Sequence, residues 1–74
     1  MTTDQANQLL LLFNAGHKIL VNSTHVDGFV TAIYKKDGVL TYDSIVWNAV
    51  SLEREDASSI TCYTEEDWQE LKLP

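Results

Sequence analysis

Seventy-four residues, 45% of them hydrophobic, make a single domain that is too apolar to stay disordered and too short to enclose a deep active site of its own. Eleven acidic against five basic side chains give a formal charge of −6, which argues against the phosphate backbone of nucleic acid as a partner. It is compatible with simple solubility or with docking on a basic protein surface. The lone Cys62 rules out an intrachain disulfide and disfavours a four-ligand zinc site, and it fits a reducing, cytoplasmic setting. The longest apolar run, Leu9 to Phe13, is far too short to span a bilayer and follows no basic segment of the kind a signal peptide carries.

In chain order, Thr2, Thr3 and Asp4 offer helix N-caps, and Ala6, Leu9, Leu10 and Phe13 recur at i, i+3, i+4 and i+7. This predicts an amphipathic helix over residues 4–14, with Asp4 favoured by the dipole and Gly16 as a left-handed C-cap. A β-branched strand follows from His17 to Ser23, then a turn through Asp27-Gly28. Phe29–Lys36 and Val39–Trp47 form a hairpin around Asp37-Gly38, a pair that accepts positive φ. Ala49–Glu53 reads as a fourth strand, Glu53–Asp56 as a charged turn, and Ser58–Tyr63 as a fifth strand. Thr64–Asp67 resembles a capping box opening a short C-terminal helical turn that brings Trp68 and Leu71 to the core. The order predicts an α+β, mainly β domain. Its form is a small SH3-like half-open barrel, or a flat antiparallel sheet, with the N-terminal helix packed on it.

No nucleophile–base pair, phosphate-cradling glycine loop or metal-ligand set at usable spacing is present, so the chain reads as a non-enzyme with no cofactor and no metal. His17, His25 and Asp27 come nearest to a site, yet two or three ligands suit turn and strand ends better than zinc. The acidic residues Glu53, Glu55, Asp56, Glu65, Glu66, Asp67 and Glu70 either satisfy local dipoles and solubility or form one face for a basic partner. Tyr34 and Tyr42, on the two arms of the hairpin, anchor an interface if their rings face outward, whereas Trp47 and Trp68 are expected in the core. Leu11 falls off the apolar face of the helix and Leu12 at its edge. A homodimer through this side, or cover by the C-terminal segment within one chain, would remove them from water.

The run Gly28-Phe29-Val30-Thr31-Ala32-Ile33, with Asp37-Gly38-Val39-Leu40-Thr41-Tyr42-Asp43 and Trp47, resembles small SH3-like proteins of bacteriophages and mobile elements. The opening helix followed by Gly16-His17-Lys18-Ile19 resembles the start of many short phage proteins, among them the Thoeris anti-defence sponges that sequester signalling nucleotides. The resemblance covers about a third of the chain and carries over no functional residue. It implies a phage-encoded inhibitor that blocks a host defence protein by contact in the host cytoplasm. The alternatives are a nucleotide sponge and a virion accessory component.

Overall fold

A computed structural model describes residues 1–22 and 27–64. Helix α1 spans Thr3–Asn14. A capping box starts it: Thr2 Oγ1 accepts from the Gln5 amide at 3.2 Å, and Gln5 Oε1 accepts from the Thr2 amide at 2.9 Å. Its end is a Schellman motif. Gly16 takes φ +97°, its N–H reaches the Phe13 carbonyl, and the His17 N–H reaches that of Leu12. Two backbone carbonyls that the helix leaves over are thereby satisfied, and the chain turns directly into the sheet.

The strands are β1 (Lys18–Asn22), β2 (Asp27–Lys36), β3 (Val39–Ser44), β4 (Val50–Ser51) and β5 (Ile60–Tyr63). They form one antiparallel sheet in the order β4-β3-β2-β1-β5, curled into a half-barrel. Short 3₁₀ turns at Leu52–Arg54 and Ala57–Ser59 lead from β4 to β5. Asp37 and Gly38 take φ of 52° and 80°, the two positive values a tight hairpin needs between twisted strands.

The curl has a local cause. Val30 pairs with Ser44 and Ala32 with Asp43, so Thr31 is an extra residue in β2. Such a bulge bends the strand and resets its alternation. Val30 and Ile33 therefore both face the core, three residues apart, where an unbroken strand would put them on opposite faces. The core joins Ala6 and Leu9 of α1 to Ile19, Val21, Val30, Leu40 and Tyr42 of the sheet, with Leu52 closing the end at 0% exposure. Leu10 and Phe13 pack at its margin, as the helical spacing predicted. α1 is tied to the turn after β4, where Thr3 Oγ1 donates to Glu53 Oε1 at 2.6 Å and the Met1 ammonium donates to the Glu53 and Glu55 carbonyls.

Four strand boundaries differ from the sequence reading. Asp27-Gly28 belongs to β2 instead of a turn, and β3 ends at Ser44, three residues short of Trp47. The fourth strand keeps only two residues before the chain coils at Leu52, and Ser58 and Ser59 lie in a 3₁₀ turn ahead of β5. His25 and the Thr64–Asp67 capping box with Trp68 and Leu71 fall wholly or mostly outside the described residues.

Candidate functional surface

β3 stops because Ser44 intervenes. Its Oγ accepts from the amides of Val46 at 3.1 Å and Trp47 at 2.8 Å, and its own N–H donates to the Trp47 carbonyl at 2.7 Å. A serine that satisfies amides two and three residues ahead offers the backbone a turn in place of a ladder. The Ile45 N–H donates to the Phe29 carbonyl at 3.0 Å, which fastens the turn to β2. Just beyond, Asp43 Oδ1 accepts from Tyr34 Oη at 2.9 Å and from the Ala49 amide at 2.8 Å. The loop between β3 and β4 is thus bonded at both ends.

This turn leaves two large apolar side chains in water: Ile45 is 66% exposed and Val46 43%. Trp47 beside them is half-buried, its ring lying over Gly28. A Cβ on residue 28 would sit 3.0 Å from the indole, so glycine is favoured here by close approach of the ring, with no unusual backbone angle involved. The sequence reading placed Ile45, Val46 and Trp47 in a strand and missed the patch. The available signal was Ser44, a turn former directly before three large apolar residues.

Two clefts lined by described residues flank the core. The larger, about 290 Å³, opens between α1 and β5 and is lined by Leu9, Ile60, Ala57 and Cys62 with Met1, Gln5 and Gln8. Cys62 is exposed, and the partial withdrawal of its thiol from water raises its pKa, away from a reactive thiolate. The smaller, about 170 Å³, lies under Trp47 and is lined by Val21, Tyr42, Val50 and Glu55. Tyr42 Oη donates to Glu55 Oε1 at 2.7 Å, and burial first, then this bond to a carboxylate, hold the phenol well above its ordinary pKa. Among the described residues lining either cleft there is no lysine or arginine.

The predicted site residues separate. Tyr34 and Tyr42 do not share a surface. Tyr42 is 0% exposed because residues 40, 42 and 44 of β3 face the core, so it is no interface anchor. Tyr34, on the outer face, is half-buried, and its hydroxyl is held by Asp43, which raises its pKa. Glu53 and Asp56 are exposed near the N-terminus of α1, with Asp4 in its first turn, while Glu55 turns inward. Asp56 Oδ1 accepts from the Ser58 amide, and that bond lowers the pKa of its carboxyl. Glu65, Glu66, Asp67 and Glu70 lie outside the described residues. Leu11 is 64% exposed and Leu12 half-buried. His17 Nδ1 lies 3.2 Å from the Leu12 carbonyl, so the ring sits against the helix end. No helix among the described residues is long and apolar enough to cross a membrane.

Comparison with protein-family models, curated proteins and solved structures finds no match.

Proposed function

We propose that this chain is a non-catalytic binding domain that docks on a basic protein surface through the Ile45–Trp47 turn and the Glu55 carboxylate that shares a cleft with Trp47. One observation carries the reading: a turn bonded at both ends holds Ile45 and Val46 out in water. Exposed apolar side chains cost little when scattered, but two neighbours on a fixed turn make a contiguous apolar corner, and the tryptophan beside them is among the residue types that carry interface binding energy. A turn already ordered before binding loses little conformational entropy on docking. The charge of −6 then favours a basic partner.

The resemblance of the Gly28–Trp47 run to SH3-like phage proteins adds a biological setting, a phage-encoded inhibitor acting on a host defence protein. Protein contact is favoured over nucleotide sequestration because the smaller cleft carries the Glu55 carboxylate, which repels a phosphate.

The test is affinity capture from host lysate with the wild type and with Ile45→Asp. The expected result is one host protein retained by the wild type, released as salt is raised, and absent with a folded Ile45→Asp. Capture that ignores both salt and the substitution overturns the proposal. A melting temperature raised by a nucleotide, with no protein captured, replaces it with the sponge.

A further inference from the structure

The smaller cleft combines three kinds of surface. Val21 and Val50 supply aliphatic wall, Trp47 an indole, and Glu55 a carboxylate. Glu55 is half-buried, and the partner of its carboxylate among the described residues is the neutral Tyr42 hydroxyl on Oε1. The Met1 ammonium is near but directs its protons to the main-chain carbonyls of Glu53 and Glu55. A carboxylate bonded to one neutral hydroxyl on Oε1 leaves Oε2 to accept from an incoming cation.

We propose that this cleft receives a lysine side chain of the partner protein, with the aliphatic stem along Val50 and Trp47 and the ammonium on Glu55 Oε2. Lysine and arginine both bury their methylene stems on apolar surface while the charged head seeks a polar group, and the indole adds attraction for a cation. Lysine is favoured because Oε1 already accepts from Tyr42, which leaves one oxygen for a point charge. A guanidinium fork is matched to both oxygens of an unoccupied carboxylate. A cleft of about 170 Å³ holds one side chain, not a folded element. This deepens the proposed function by naming the group that the apolar turn delivers to Glu55.

The experiment is an NMR titration of the ¹⁵N-labelled protein with a short lysine peptide and with the same peptide acetylated on every Nζ. The expected result is a saturable shift of the Trp47 indole N–H and the Glu55 amide with the first peptide and none with the second. Trp47→Phe assigns the indole signal. Glu55→Gln keeps an oxygen for Tyr42 but removes the charge, and it should weaken binding about tenfold or more, as expected for a hydrogen bond to a charged group. Asp37→Asn makes the same charge change at the distant hairpin tip, where asparagine tolerates positive φ, and should weaken it less than about twofold. Equal losses in the two variants mean diffuse attraction and overturn the proposal. So does tighter binding of an arginine peptide, or a lysine peptide that leaves the Trp47 signal unmoved. Host-protein capture that depends on Ile45 is read separately, so it survives if the lysine pocket fails.

Discussion

Gly28→Ala isolates the contact on which the surface is built. Gly28 has no positive φ, so alanine fits the backbone and should stabilise by about 0.4–1 kcal/mol through the unfolded chain. Against this, the new Cβ lies 3.0 Å and 3.3 Å from two carbons of the Trp47 ring and 3.2 Å from Ser44 Oγ. The Ser44 oxygen is held by two amides and cannot retreat freely. Overpacking of this kind costs roughly 1–3 kcal/mol. The expected net effect is about 1 kcal/mol of destabilisation, a fall in Tm of about 4–8 °C for a domain this size. Removing the ring should cut the cost, leaving only the 3.2 Å approach to Ser44 Oγ to oppose the gain. In a Trp47→Ala background the two indole contacts vanish, and Gly28→Ala becomes close to neutral. Thermal melts of the wild type, both single variants and the double variant give the coupling directly. A Gly28→Ala effect of the same size and sign with and without Trp47 refutes the packing described for this surface.

Further outcomes are expected. Gly38→Val should destabilise by about 1–2 kcal/mol through backbone strain alone, since φ is +80° and nothing lies within 4 Å of the new Cβ; a denaturant melt equal to wild type contradicts the hairpin geometry. The Tyr42 phenol is raised in the folded state, so its contribution is fully present below the unfolded value of about 10 and is lost as pH climbs toward the folded one. Wild-type stability should therefore fall more steeply above pH 10 than that of Tyr42→Phe, and parallel curves from urea melts would remove Tyr42 as the cause. Leu11→Glu, at an exposed position, should leave stability within about 0.5 kcal/mol and convert a Leu11–Leu12 homodimer to monomer in light scattering. A wild type that is already monomeric at micromolar concentration excludes that association, and a variant that unfolds points to cover of Leu11 within the chain.

Much of the architecture follows from short-range chemistry. The helix, its Gly16 cap and the Asp37-Gly38 hairpin each depend on residues within a few positions of one another, and all three stand where the spacing put them. The acidic balance and the exposure of Leu11 were equally legible, one from counting charges and the other from the 100° step of the helix. The surface around Trp47 was not. Apolar residues 45–47 extend the β-like pattern of β3, and only a turn that also bonds to Phe29, far back in β2, makes them a projecting corner. Gly28 looks like turn punctuation until the ring that rests on it is seen. Tyr42 alternates like any strand residue, and which face of β3 is inside depends on where β2 pairs. The bulge at Thr31 shifts that pairing by one residue, and in a two-residue repeat such a shift exchanges inside for outside. Local pattern therefore determined the elements, while the pairing of distant strands decided which side chains remained to meet a partner.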